Sequence, residues 1–135
     1  MIFKIFKNNQ LKKKELPVPL VSNNVHKILF YNELINKIKD VEGNILECGV
    51  GFGRSAFLIS EISSIYKLNK KIILCDTFNG FPELSDKDVE IPGIHKGYYN
   101  APKESVDKYF KNSKISNSIN IEFKIGDIKE TLNNF

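Results

Sequence analysis

The strongest constraint on the fold is a run of three glycines at alternate positions, Gly49, Gly51 and Gly53. They follow a short apolar segment, in the stretch Ile-Leu-Glu-Cys-Gly-Val-Gly-Phe-Gly-Arg-Ser over residues 45–55. A short strand, a glycine-rich turn and an amphipathic helix in this order are typical of α/β sheets that bind nucleotide-type cofactors. The sequence therefore predicts an α/β fold with a cofactor site at the carboxyl end of its first strand.

The pattern along the rest of the chain predicts helices that alternate with strands. Residues 1–21 read as a leader, in which Pro17 and Pro19 disfavour helix. Ser22 or Asn23 is expected to cap a first helix that runs to about residue 40. Strands are predicted at 44–48, 71–75 and 121–125, followed by helices over about 54–66, from about 101, and from about 127. This order predicts a parallel sheet with right-handed crossovers and flanking helices.

The same periodicity predicts which helix side chains face the core. On the first two helices they are Ile28, Tyr31, Ile35, Ile38, Leu58, Ile62 and Ile65. Cys48 and Cys75 lie in predicted strands, where they are expected to be small buried side chains.

Composition excludes several classes of function. The net charge of +4 comes almost entirely from lysine, since Arg54 is the only arginine, so nucleic-acid binding is not expected. No apolar run approaches the length of a membrane span, so no membrane association is expected either. The N-terminus lacks the features of a signal peptide, and a cytoplasmic location is therefore predicted.

The identity of the cofactor follows from the residues around the glycines. A dinucleotide-binding loop would place glycine or alanine where this chain has Arg54. Glu47 and the three glycines fit the pattern acidic-x-Gly-x-Gly-x-Gly, which is the form used for S-adenosylmethionine. Glu47 is expected to attract the ammonium group of this ligand, directly or through water. The alternative is a glycine-rich turn that binds no ligand.

Two aspartates end the later strands. Asp76 ends the second strand, where a carboxylate can accept two hydrogen bonds from ribose hydroxyls. Asp127 follows the third strand, where an acidic side chain commonly faces the adenine amino group. The alternatives are a turn cap for Asp76 and a helix cap for Asp127, and Asp127 can fill both roles.

Taken together, these residues resemble the class I S-adenosylmethionine-dependent methyltransferases, and more narrowly the macrocin O-methyltransferase (TylF/MycF) family. The resemblance covers about residues 22–135. It rests on residues 46–55, on Cys-Asp-Thr-Phe-Asn-Gly-Phe-Pro-Glu over 75–83, on Gly-Tyr-Tyr at 97–99, and on Phe-Lys-Ile-Gly-Asp over 123–127 with Thr-Leu at 131–132.

The resemblance implies a Rossmann-like methyltransferase sheet of which this chain supplies the cofactor-binding half, truncated after the third strand. It implies O-methylation of a hydroxyl on a sugar or glycan acceptor. The residues that it assigns to the cofactor are Glu47, Gly49, Gly51, Gly53, Asp76, Phe78 and Asp127. The family's metal ligands and base follow a fourth strand, so no metal ligand or catalytic residue is assigned here. Magnesium is expected only in a full-length form.

Several alternatives stay open at this stage. Tyr98 and Tyr99 are either part of a lid or packing residues, and His95 is either a base or a surface residue, while His26 is expected to be structural. The chain is either an enzyme or a catalytically silent binding module. An NAD-type dehydrogenase is disfavoured by Arg54. Because the first strand should be central, a homo-oligomer or pairing with a missing C-terminal half is expected.

Overall fold

The computed structural model describes residues 21–113 and 119–134. The elements are α1 (Ser22–Ile38), β1 (Ile45–Cys48), α2 (Arg54–Ile65), β2 (Ile72–Asp76), α3 (Asp86–Val89), α4 (Lys103–Lys111), β3 (Ile121–Ile125) and α5 (Ile128–Thr131), with a final 3-10 turn (Leu132–Asn134). The predicted order of helices and strands is confirmed, except that the short helix α3 lies in a stretch for which the sequence predicts no helix. Residues 1–20 of the predicted leader lie outside the described residues.

The three strands form a parallel sheet in the order β1-β2-β3. Glu47 is in register with Leu74, and Leu74 with Phe123. The four apolar residues of β2 are buried, as expected for the middle strand of a sheet with side chains covered on both faces. Among the described strands, β1 has a neighbour on one side only.

The core lies between one face of this sheet and the helices α1, α2 and α4. Its buried members include Ile35, Ala56, Ile59, Ile62, Ile72, Leu74, Val106 and Phe110. The predicted inward position of Ile65 is wrong, because its side chain is 76% exposed. Ile65 ends α2, and the side chains of Tyr66 and Leu68 beyond it pack against the core instead.

Helix α1 begins one residue earlier than the predicted caps allow. Ser22 and Asn23 are already helical, and Val21 is the N-cap, with no side-chain hydrogen bond. The prediction of a Ser22 or Asn23 cap is therefore wrong. The carbonyl oxygen of Val21 accepts the amides of Asn24 and Val25 at 2.9 and 3.0 Å, which starts the helix. No helix in the described ranges is both long and apolar enough to cross a membrane.

The opposite face of the sheet is partly polar. Leu46, Ile73 and Glu122 share one row across this face, and Cys48, Cys75 and Lys124 share the next. Lys71 and Lys124 both donate to the carboxylate of Glu122, which lowers its pKa to about 2. Cys75 is buried as predicted, whereas Cys48 is exposed, since it lies on the edge strand.

The segment between β2 and α4, over residues 77–100, is closed at its base by a backbone clasp. The Phe81 amide donates to the Tyr98 carbonyl, and the Gly97 amide donates to the Phe81 carbonyl, both at 3.0 Å. A Cβ on Gly80 would overlap the backbone of Gly97 and Tyr98, so only glycine allows this close approach. Within the segment lies the short helix α3, which a capping box between Ser85 and Asp88 begins.

Candidate active site

The glycine loop joins β1 to α2 with all three glycines at positive φ, at 82°, 51° and 74° for Gly49, Gly51 and Gly53. A Cβ added to Gly49 or Gly51 would meet nothing within 4 Å. A Cβ on Gly53 would lie 2.5 Å from Cγ1 of Val106 on α4. The first two glycines therefore leave open space for a ligand, and the third allows α4 to pack against the loop.

Asp76 connects this loop to the end of β2. Its Oδ2 accepts a hydrogen bond from the Gly51 amide at 2.8 Å, and its Oδ1 accepts one from the Phe78 amide at 2.8 Å. The turn-capping role considered for Asp76 is therefore present. The same carboxylate also lines the cleft described below, where its oxygens retain lone pairs for a ligand's hydroxyls.

Glu47 has one satisfied and one unsatisfied carboxylate oxygen. The Ser55 hydroxyl donates to Oε1 at 2.5 Å, while Oε2 is buried and has no hydrogen-bond partner among the described residues. Burial raises the pKa of Glu47, the Ser55 hydrogen bond opposes this shift, and the negative charge of Asp76 adds to it. A buried carboxylate oxygen without a hydrogen-bond partner is costly, and a donor or cationic group placed beside it would offset that cost.

Two adjoining cavities run along the carboxyl ends of the strands. The larger, of about 380 Å³, is lined by Asn24, Lys27, Tyr31, Gly49, Val50, Gly51, Phe52, Arg54, Ser55, Leu58, Asp76, Phe81 and Tyr99. The smaller, of about 180 Å³, is lined by Gly49, Asp76, Thr77, Gly80, Phe81, Pro82, Tyr98, Tyr99, Asp127 and Ile128. Because they share four lining residues, we describe them together as the cleft.

The cleft brings together only part of the predicted set. Gly49, Gly51, Asp76 and Asp127 line it directly, whereas Glu47 reaches it only through its hydrogen bond to Ser55. Asp127 also caps α5, since its Oδ1 accepts the Lys129 amide at 2.8 Å. The same residue therefore caps a helix and lines the cleft.

Phe78 and Gly53 occupy different surroundings from the other predicted residues. The Phe78 side chain is only 3% exposed, and its ring packs against Phe123 with centroids 5.7 Å apart. Neither Phe78 nor Gly53 is among the residues that line the cleft. Phe78 contributes its backbone amide to Asp76, and Gly53 contributes the space that Val106 fills.

Helix α1 supplies cleft residues that the sequence analysis missed. Asn24, Lys27 and Tyr31 line the larger cavity from one side of this helix. Tyr31 belongs to the predicted apolar stripe and also packs against the core, whereas neither Asn24 nor Lys27 belongs to a motif. Their spacing of three or four residues is the one signal that places them on a common face.

The tyrosines of the predicted lid are exposed and lie beside the cleft. Tyr99 lines both cavities, and Tyr98 lines the smaller one. His95 is exposed and packs edge-on against Tyr98, with its Nδ1 2.9 Å from the Lys96 carbonyl oxygen. Neither His95 nor His26 lines the cleft. Within residues 21–113 and 119–134, no group of three or more potential ligand side chains could hold a metal ion.

Comparison with known proteins gives matches among solved structures. No protein-family model and no curated protein sequence matches the chain. A structure of CalS11, calicheamicin methyltransferase, superposes with a TM-score of 0.68 at 27% identity, covering 89% of this chain and 51% of that one. The O-methyltransferase NovP superposes with a TM-score of 0.63 at 20% identity, covering 80% and 48%.

A further structure, described as apo CalS11, TDP-rhamnose 3'-O-methyltransferase, an enzyme in calicheamicin biosynthesis, gives a TM-score of 0.55 at 26% identity. It covers 89% of this chain and 49% of its own. The chain thus spans about half the length of the solved structures that it matches. Its three parallel strands with flanking helices form the open sheet of the Rossmann-like methyltransferase fold.

Proposed function

We propose that the chain is the cofactor-binding half of an S-adenosylmethionine-dependent O-methyltransferase. The observation that carries this proposal is the cleft at the carboxyl ends of the strands. It is lined by Asp76, by Ser55, which is the hydrogen-bond partner of Glu47, and by two glycines at which an added Cβ would meet no atom within 4 Å. When bound, S-adenosylmethionine supplies a methyl group already activated on a sulfonium. The protein's task is then to hold the donor in place and to exclude water.

Each part of the cleft suits a different part of that cofactor. Asp127 offers an acceptor to an adenine amino group in the smaller cavity, and Asp76 offers acceptors to ribose hydroxyls where the cavities meet. The Oε2 atom of Glu47, which has no hydrogen-bond partner, favours binding of the cofactor's ammonium group near Ser55, directly or through water. Gly49 and Gly51 leave the backbone accessible between these positions.

The acceptor that we propose is a sugar or glycan hydroxyl. The resemblance to the macrocin O-methyltransferase (TylF/MycF) family supports it, as does the superposition on a structure described as a TDP-rhamnose 3'-O-methyltransferase. Magnesium stays a prediction for a full-length form, because the described residues include no group of side chains that could hold a metal ion. A cytoplasmic location stays a prediction.

A second candidate is a catalytically silent module that binds the cofactor alone. One observation favours it: His95, the histidine considered as a base, does not line the cleft. The two candidates make the same prediction for binding and opposite predictions for turnover.

We further propose that another polypeptide segment pairs with the open side of β1. An edge strand presents unpaired backbone amides and carbonyls, and Leu46 on this strand is 43% exposed. The partner is either a second copy of this chain or a C-terminal half. Size-exclusion chromatography with light scattering tests the pairing of two copies, and Leu46→Lys is expected to weaken it. A stable monomer of the parent chain would contradict pairing between copies and leave the C-terminal half as the proposed partner.

Titration calorimetry with S-adenosylmethionine tests the main proposal. The parent chain is expected to bind, and Glu47→Gln is expected to bind more weakly. Glu42→Gln is a matched control, since Glu42 is exposed and does not line the cleft. A folded parent chain that ignores the ligand at millimolar concentration would refute the proposal. A methyl-release assay with TDP-rhamnose then separates the enzyme from the silent module, because the module binds without turnover.

A further inference from the structure

Three aromatic rings from two different segments meet beside the cleft. Phe52 comes from the glycine loop, whereas Phe81 and Tyr99 come from the two sides of the backbone clasp. The ring centroid of Tyr99 lies 6.0 Å from that of Phe52 and 6.0 Å from that of Phe81. We refer to these three residues as the aromatic wall.

The aromatic wall is exposed although its members are large and apolar. Phe52, Phe81 and Tyr99 are 47%, 39% and 52% exposed, and all three line the larger cavity. Tyr99 also has a φ of 62°, a left-handed conformation that costs free energy in a residue other than glycine. Clustered exposed aromatic rings at a concave surface indicate a binding site rather than a core.

The location of the wall relates it to one part of the proposed cofactor. Phe81 and Tyr99 line both cavities, as does Asp76, the residue proposed to hold the ribose. Ser55, the partner of Glu47, lines the larger cavity with them. In an extended S-adenosylmethionine the sulfonium lies between its ribose and its amino group. The wall thus borders the stretch of cleft that the positive sulfur would occupy.

We propose that the aromatic wall recognises the positive charge of the sulfonium and thereby favours the methyl donor over the spent, neutral S-adenosylhomocysteine. The inference rests on the proposed function. Its physical basis is the negative potential on the face of an aromatic ring, which attracts cations within about 6 Å of the centroid. The two ligands differ by one methyl group and one charge. Both ligands make the same contacts through adenine, ribose and the amino-acid group, so these contacts cancel when the affinities of the two ligands are divided.

The test measures that ratio by titration calorimetry with three probes on the whole chain. S-adenosylmethionine carries the sulfonium, sinefungin carries an ammonium group near the same position, and S-adenosylhomocysteine carries neither. The variants are Tyr99→Leu and Phe52→Leu, with Tyr99→Phe as the matched control that keeps the ring. Leucine, like tyrosine, is unbranched at Cβ, so it adds no strain of its own at the left-handed position. Circular dichroism checks that each variant is folded.

Both leucine variants are expected to bind the two cationic probes about 3- to 30-fold more weakly, from the usual strength of a cation–π contact. Binding of S-adenosylhomocysteine is expected to change less than about 2-fold, and Tyr99→Phe is expected to behave like the parent. An equal loss for all three probes would overturn the inference and leave the proposed function intact. A parent chain that binds none of the probes would overturn both.

Discussion

The carboxylate of Asp76 and the backbone amide of Gly51 are joined by a hydrogen bond of 2.8 Å, across 25 residues of sequence. The bond fixes the glycine loop to the end of the neighbouring strand. The second oxygen of Asp76 accepts the amide of Phe78, so the same side chain also shapes the turn after β2. The glycine loop and the turn after β2 therefore both depend on the carboxylate proposed to hold the ribose.

Substitution of Asp76 by asparagine is expected to weaken binding of both adenosine and S-adenosylmethionine. Hydrogen bonds to a charged group typically contribute about 1.5–3 kcal/mol, so the expected loss is about 10- to 150-fold. Titration calorimetry with both ligands provides the measurement. The loss should be similar for the two, because both contain the ribose.

Asp86→Asn is the control for this experiment, since it removes a carboxylate from the exposed helix α3. It is expected to leave both affinities unchanged. Equal affinities for the parent and Asp76→Asn would refute the ribose role and leave Asp76 as a turn cap alone.

Glu47→Gln is expected to stabilise the unliganded protein at neutral pH. The folded-state pKa of Glu47 is raised above its ordinary value of 4.5, so folding favours the protonated form. The parent therefore loses stability, relative to the variant, as pH rises from about 4.5 through the raised pKa. Thermal unfolding should show equal midpoints near pH 4 and a higher midpoint for the variant near pH 7.5. A variant that is less stable than the parent at both pH values would contradict this expectation.

The ionised carboxylate of Glu47, which lowers the stability of the unliganded protein, should strengthen binding of the cofactor. Protonation of Glu47 removes its attraction for an ammonium group, so the parent's affinity for S-adenosylmethionine is expected to fall as pH drops through the raised pKa. At pH 7.5, Glu47→Gln should bind about 10-fold more weakly. Calorimetry of both proteins across this pH range is the measurement, and parallel pH profiles would argue against contact with the ammonium group.

Gly49→Ala is expected to weaken binding of S-adenosylmethionine and to cost no more stability than alanine at another open glycine of similar φ. The new methyl group meets no protein atom within 4 Å, but it projects from a residue that lines both cavities. Gly93→Ala is the matched control, because Gly93 has a similar φ of 84° against 82° and equally open surroundings away from the cleft. Both variants should lose about 1 kcal/mol of folding free energy, and only Gly49→Ala should lose affinity. Equal affinities in the two variants would refute the role of Gly49.

Gly53→Ala is expected to destabilise the fold more than Gly93→Ala does. Both positions have positive φ, but the new Cβ at 53 would lie 2.5 Å from Val106 Cγ1. Overpacking of this kind adds about 1–3 kcal/mol to the cost of the backbone conformation. Urea unfolding gives the difference. In the Val106→Ala background the additional cost of Gly53→Ala should largely disappear, and its persistence would show that the contact is not its cause.

The sequence predicted the elements well because their patterns are local. Uniformly apolar β2 is buried in the middle of the sheet, and Asp127 begins α5 as a cap. The errors concern surroundings that only the folded chain defines. Cys48 is exposed because β1 is an edge strand, and Ile65 is exposed because α2 ends there.

The candidate site was predictable where its residues lie in the glycine loop or end a predicted strand. Gly49, Gly51 and Asp76 line the cleft as the spacing suggested. Phe78 was assigned to the cofactor, but its ring packs in the core against Phe123. Its backbone has a φ of 57°, and its amide donates to Asp76, a local geometry that no sequence pattern specifies. The contribution of α1 arises from the packing of α1 against α2, which no pattern within α1 specifies.

The clasp at Gly80 has a consequence for how proteins of this shape can diversify. The backbone of residues 80–81 contacts that of residues 97–98 at the base of the segment. The stretch from 83 to 96 contributes no lining residue to the cleft and is an insert on a fixed base, and such surface excursions tolerate changes in length and sequence. Grafting a foreign stretch between these anchor points is a direct way to change which molecules approach the cleft while donor chemistry stays untouched.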